Sequence, residues 1–385
     1  MSSLTSWAYL SRVIEGPNQH LQALLRAGRD ADEIANGVRT RASWLGGLAG
    51  ATEARYARSV PEEDLAKAAD LGFSLITPDS PNWPSAAISA SFDTLTALEK
   101  GACPPHALWV KGQQNLPALF AQSVGVVGTR APSHEGQKAT ANLVAGLAKH
   151  QYTIVSGGAA GVDTVAHDTA LANATPTVVI TAFGAGVTYP RPNERLFQRV
   201  TSQGGAMISE YPPGVTPDRH RFLTRNRLIA ALSQGSVVVE AGYRSGALNT
   251  LNWLHTFNRQ AMAVPGSIME KACLGTNLAI AKEQATMVLS ADHIHELLST
   301  VGEEDMQLKL DDLYEPTPIQ RLSRNELQVY DSLPLPSVGA RTADQVAEVA
   351  GMAVGLTVHL LMELESRNLV RRERRLWRRV ELDKK

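Results

Sequence analysis

The sequence predicts an α/β fold: a doubly wound, mostly parallel sheet, preceded by an N-terminal helical module and followed by a C-terminal winged-helix domain. Three observations carry this. Two short apolar runs, 124–127 and 152–155, each empty into a glycine-containing loop, and each loop leads into a helical pattern. Further continuous apolar runs follow at 177–181, 206–208, 236–240 and 261–264. They lack alternation, as parallel strands covered on both faces do. Finally, 319–380 reads as three helices and then a two-stranded ribbon, which is winged-helix order.

Taken in order, 1–70 is helical. Trp7, Leu10, Val13 and Ile14 fall at helical spacing, Leu21, Leu24 and Leu25 repeat it, and an amphipathic helix over 62–71 stops at Gly72. No chemistry is visible in this block. The α/β domain spans 71–300, with strand candidates at 73–77 and 108–110 before the regular rhythm starts, helices such as 136–149 and 162–171 within it, and a last helix near 292–300. Residues 301–318 form an acidic linker ending in Pro316 and Pro318. In the domain 319–385, Ser323 with Glu326 and Thr342 with Gln345 are capping-box patterns that start two helices.

The bulk properties narrow the function. The chain has 385 residues and a formal net charge of −1, so nucleic-acid binding must come from a local patch. Two cysteines, Cys103 and Cys273, in unrelated contexts give neither a disulfide framework nor a metal-ligand spacing. No run approaches the ~18–20 apolar residues of a membrane span, and no signal-peptide core is visible. A cytoplasmic, reduced protein with no membrane partner is expected.

Four stretches carry chemistry. In the first loop, Gly128 allows a tight turn, Thr129 follows, and Arg130 can fork onto phosphate oxygens. In the second, Gly157, Gly158 and Gly161 let a ligand approach the backbone and Ser156 can donate to phosphate. Asp163, in the first helical turn, can tie down loop amides, and His167 lies four residues on, a structural pair more readily than a catalytic dyad. Neither loop has the GxGxxG spacing of a dinucleotide site or the GxxxxGK[ST] of a P-loop, so no cofactor is expected. The third stretch packs Arg219, Arg221, Arg225 and Arg227 into nine residues with Phe222 and Asn226 among them, ahead of an apolar helix at 228–232. Cations interleaved with an aromatic suit a single-strand groove. The fourth, 237–250, ends a strand at Glu240 and opens a helix at Ser245-Gly246; Glu240 is read as a positioning group rather than a general base. The region 366–385 holds nine basic and three acidic residues, and its ribbon can touch duplex backbone or protein.

Together these motifs resemble the DprA/Smf family of DNA-processing proteins. The elements are GVVGTR with Ser133 and Gly136, SGGAAGVD with His167, Thr188-Tyr189-Pro190 with Asn193, SEYPPG, FLTRNRLIAALS, VVVEA with SGALNT, and VPG with GTN, in that order. The resemblance implies an extended Rossmann-like domain that binds single-stranded DNA, protects incoming DNA in transformation and promotes loading of the RecA recombinase. It implies a homodimer without catalytic residues, metal or cofactor. It makes Gly128, Thr129 and Arg130 a first phosphate site and Ser156, Gly157, Gly158 and Gly161 a second. Arg219, Phe222, Arg225, Asn226 and Arg227 become a basic, base-stacking wall, supported by Asp163, His167, Glu240, Ser245 and Gly246. The sequence departs from the family's habit at Ala160, where a basic residue is common, and in reading SGALNTL for SGSLxTA.

Two other classes compete. A nucleoside-monophosphate phosphoribohydrolase on a related fold carries PGGxGTxxE; here Pro265-Gly266 continues as SIME and Gly275-Thr276 is followed by Asn277, without the catalytic glutamate. A winged-helix transcription regulator would leave the large α/β domain unused.

Overall fold

The computed structural model describes residues 2–57, 59–93, 95, 101–299 and 317–380. It comprises two compact units, Met1–Gly302 and Glu303–Lys385. The acidic linker expected at 301–318 lies outside the described residues except for its last two.

The first unit is built on nine strands: β1 (Phe73–Ile76), β2 (Leu108–Gly112), β3 (Ser123–Val127), β4 (Thr153–Ser156), β5 (Thr177–Thr181), β6 (Ala206–Ser209), β7 (Gly235–Val238), β8 (Gln260–Ala263) and β9 (Thr286–Met287). Their order in the sheet is β1-β2-β6-β5-β4-β3-β7-β8-β9. The pairs β1–β2 and β2–β6 are antiparallel, and all others are parallel. The chain walks outward from β3 through β4, β5 and β6, then returns to the other flank of β3 with β7. The reversal opens a crevice between the loops that leave β3 and β7, where ligands of doubly wound sheets sit.

The valine-rich strands are buried on both faces, as their unbroken apolar runs predict. Val124 and Val126 meet Leu143, Val144 and Leu147 of the helix His134–Lys149 and Val162 and Ala166 of the helix Val162–Ala172. Val127, Val155 and Val238 face the opposite layer, with Leu228, Ile229 and Leu232 of the helix Arg219–Leu232 and Leu251 and Leu254 of the helix Leu248–Thr256. Full burial of each such side chain is worth about 1.5–3 kcal/mol, which makes the sheet a stiff platform for its loops.

The N-terminal helices do not stand apart from this platform. Trp7, Leu10 and Val13 of the helix Leu4–Ile14 share one core with Phe73, Trp109, Phe183 and Met207. The buried Trp109 indole donates to Ser11 Oγ at 3.0 Å. The block therefore covers one end of the sheet.

The second unit contains the helices Arg324–Asp331, Ala343–Ala350 and Val354–Ser366 and a three-stranded antiparallel sheet, β10 (Arg341–Thr342), β12 (Leu376–Arg379) and β11 (Val370–Glu373) in that spatial order. Both capping boxes form, Ser323 with Glu326 and Thr342 with Gln345. The third strand, β10, is two residues long, too short to leave a periodic signal in the sequence. Val329, Val346, Leu361, Leu364 and Trp377 make this unit's core. Among the described residues no single helix is long and apolar enough to cross a membrane.

Candidate nucleic-acid interface

Two glycine loops and the loop after β7 meet at the crevice and are zipped together by their backbones. Thr129 N–H donates to Glu240 O at 2.7 Å, and Val162 N–H donates to Thr129 O at 3.1 Å. Gly128 packs against the Val162 side chain and Glu240 O. At Gly161, φ is +90°, and a Cβ would lie 2.3 Å from Thr129 O, so only glycine fits between the loops.

The loop amides are largely committed to the protein's own carboxylates. Asp163 accepts from Gly157 N–H at 3.1 Å and Ala159 N–H at 3.2 Å, the tie expected of it. Glu240 is buried and accepts from Ser133 N–H at 2.9 Å and from the Ser133 hydroxyl. Ser133 caps the helix His134–Lys149, so Glu240 already supplies the negative charge that this N-terminus favours. That arrangement matches a positioning role for Glu240. It also leaves Arg130, which is exposed, as the part of the first loop that faces solvent.

Several residues expected at the surface are inside. Ser156 is fully buried and donates to Val126 O at 2.6 Å, bracing β4 against β3. Arg225 is 5% exposed; it donates to Gly157 O at 2.7 Å and to Ile180 O. Burial pushes the Asp163 carboxyl up and the Arg225 guanidinium down to about 10, and the charge of each resists the shift of the other. Arg225 thus holds the second loop from behind. Arg227 is fully buried and ion-paired with Glu210. His167 donates or accepts at Thr177 Oγ1, 2.7 Å away, and burial lowers its pKa to about 3. It is a neutral core histidine bonded to Thr177. Gly158 is also buried, under Asn193, which donates to Gly158 O at 3.1 Å.

The reason is helical periodicity. The arginine stretch is already helix from Arg219, capped by the Asp218 carboxylate on His220 N–H at 2.8 Å, whereas the apolar run predicts a start at 228. At 100° per residue the arginines fan out to different sides. Arg221 turns to Glu15 at 3.2 Å and Thr216 O at 2.6 Å, and Arg225 and Arg227 go inward. Arg219, Phe222 and Asn226 remain on the outer side.

What the crevice presents is a groove of about 880 Å³. Arg130, Arg219, Arg244 and Lys282 bring charge to it, and Tyr189, Phe222 and Tyr243 bring rings. Arg130 stands over the Phe222 ring at 5.1 Å, and the Tyr189 and Phe222 centroids are 5.5 Å apart. Ser245 and Gly246 line the same groove, and Asn226 donates to Gly246 O at 3.3 Å. A smaller recess of about 210 Å³ opens beside it against Gly128, Asp163 and Asn226. Tyr189, Tyr243, Arg244 and Lys282 are groove residues that the sequence reading did not assign. Tyr243-Arg244, in the turn beyond β7, repeats the aromatic–arginine pairing of Arg221-Phe222, and that is the signal that reveals it. Lys282 has no local signal. Ala160 is exposed at the tip of the second loop, so the place where a basic residue would add charge carries none.

Fold and site together define a doubly wound α/β protein with a cationic, aromatic-lined groove at its topological switch point. The model of the family described as DNA recombination-mediator protein A matches residues 74–299. A putative DNA processing protein DprA from Mycobacterium tuberculosis is 38% identical over 374 residues, 97% of this chain and 93% of the relative. The Smf protein of Escherichia coli is 35% identical over 267 residues, 68% of each chain. The X-ray structure of DNA processing protein A from Streptococcus pneumoniae superposes with a TM-score of 0.63 at 28% identity, covering 78% of this chain and all of that one. The chain belongs to the DprA/Smf family of DNA-processing proteins.

Proposed function

We propose that the chain binds single-stranded DNA along the groove and acts, without a chemical step, as a recombination mediator that protects incoming strand and promotes loading of RecA. One observation carries the reading: four cations and three aromatic rings line a single open groove. Arginine and lysine answer the backbone phosphates, and the rings answer base faces, which are free only in an unpaired strand. A non-catalytic role is supported by the state of the candidate acids and bases. Glu240 is engaged by Ser133, Asp163 by loop amides and His167 by Thr177. The mediator role follows the family's description.

The finer expectations rest on this reading. The order of three helices and a ribbon supports a winged helix in the second unit. A homodimer is supported by the edge strand β9, where Met287 and the neighbouring Leu289 are each 43% exposed. A cytoplasmic site of action suits two buried, unpaired cysteines.

The test is fluorescence anisotropy with a labelled oligo-dT and a duplex of the same length across a salt series. Tighter binding of the single strand is expected, with affinity falling steeply with salt and lowered by Arg219→Ala and Arg244→Ala. Equal affinity for the duplex, or indifference to both substitutions, overturns the assignment.

A further inference from the structure

The helix Val354–Ser366 buries Thr357, Leu360, Leu361 and Leu364 against its own unit. Its other side is unlike a helix that reads DNA. No lysine or arginine occurs from Gly351 to Ser366, and Glu363 and Glu365 occupy the last turns. The exposed positions are mostly apolar: Val354 is 44%, Leu356 44% and Met362 58% exposed, and the exposed His359 lies beside them with its ring 3.7 Å from Glu363 Oε1. Val358, half-buried, falls between Val354 and Met362 at the i, i+4 spacing that lines up one stripe. Base edges are read by hydrogen-bonding side chains and phosphates by cations, and this stripe supplies neither.

The ribbon runs alongside. The Arg372 backbone N–H donates to Glu365 Oε1 at 3.0 Å, fixing β11 to the helix's last turn. Arg378 and Arg379 are ion-paired with Glu373 at 2.5 Å and Asp331 at 3.5 Å. Arg371, Arg374 and Arg375 are exposed and make no ion pair among the described residues. Three exposed arginines without an ion pair among the described residues therefore stand on the ribbon that is tied to the last turn of this helix.

We propose that this face docks an acidic, amphipathic segment of a partner protein, with apolar side chains on the stripe of Val354, Val358 and Met362 and carboxylates on Arg371, Arg374 and Arg375. Charge complementarity selects this occupant. Duplex DNA would engage the arginines and leave the apolar stripe against a hydrated groove, whereas an acidic amphipathic helix uses both parts.

The full chain is panned against a phage-displayed library of random peptides of helical length, and the leading sequence is synthesised with a fluorescent label. Enrichment of peptides with Asp or Glu and apolar residues at helical spacing is expected. Met362→Glu, and separately the pair Arg374→Glu and Arg375→Glu, should each weaken the labelled peptide at least about tenfold. Met362 is exposed, so the melting curve should hold; Met362→Ala, with a smaller loss, guards against an effect on folding. No enrichment, enriched peptides without acidic residues, or binding that survives Met362→Glu overturns the proposal. So does a labelled duplex whose affinity falls with Met362→Glu, which would make the face a DNA reader.

Discussion

Arg130 and Arg225 sit on either side of the same loops, and replacing each by alanine separates surface from scaffold. Arg225 donates to Gly157 O at 2.7 Å and to Ile180 O from a position only 5% exposed, beside the buried Asp163. Its removal strands two carbonyls and a carboxyl in the interior. A hydrogen bond to a charged group is worth about 1.5–3 kcal/mol, two such bonds are lost, and the buried Asp163 loses the nearby positive charge that favours its ionised form. These overlap, so Arg225→Ala should lower the free energy of unfolding by about 3–5 kcal/mol, and DNA binding is lost with the loop. Arg130 is exposed, with its guanidinium over the Phe222 ring at 5.1 Å. An exposed cation–π contact contributes about 0.5–1 kcal/mol, so Arg130→Ala should leave stability within about 1 kcal/mol. Its effect belongs in binding: one lost phosphate contact reduces the slope of log affinity against log salt by about 0.7 for a single strand. Urea denaturation gives the first quantity and anisotropy across a salt series the second. If Arg225→Ala unfolds like the parent chain and lowers the salt slope as Arg130→Ala does, Arg225 is a surface contact and the burial argument is wrong.

Phe222→Ala should weaken single-strand binding by about 1–3 kcal/mol with the melting temperature little changed; a large drop in melting temperature with affinity intact would make the ring structural. Gly161→Ala forces a Cβ to within 2.3 Å of Thr129 O at a φ of +90°, so both loops must shift; the cost in urea denaturation should be about 1–3 kcal/mol or more, and an unchanged midpoint would show slack that the packing denies. Burial keeps His106 and His167 neutral, with pKa values lowered to about 4 and about 3 from 6.5. The unfolded chain therefore binds more protons below pH 6.5, and the stability these residues contribute is full above that pH and lost as pH falls toward 4. In His167→Asn the slope of unfolding free energy between pH 6 and pH 5 should be shallower by about 1.4 kcal/mol per pH unit; parallel slopes would refute the burial of an ionisable ring.

The candidate site divides along the same line as these tests. Arg130, Arg219 and Phe222, which line the groove, each belong to a local pattern, a glycine turn or a basic–aromatic cluster. Arg225 and Arg227 belong to the same cluster and read identically in one dimension. Ser156, beside a glycine loop, reads as a phosphate donor, but its hydroxyl donates to Val126 O of β3 instead.

The chain's sequence by itself determined the doubly wound architecture, the two glycine loops and the family. Those follow from short-range facts: unbroken apolar runs, glycines where backbones touch, and caps at helix starts. Tertiary structure alone decided which cations reach solvent. The helix Arg219–Leu232 is anchored by its apolar end against the sheet, and that anchoring sets its rotation. The rotation sends Arg225 under the second loop and Arg227 to Glu210, and leaves Arg219 and Phe222 on the groove. Arg244 and Lys282 join them only because β7 folds back beside β3 and carries its own loop, and the helix Leu274–Ala281 that follows β8, to the same crevice. No spacing in the sequence encodes that return, because Arg130 and Arg244 are separated by β4, β5 and β6, the whole outward half of the sheet.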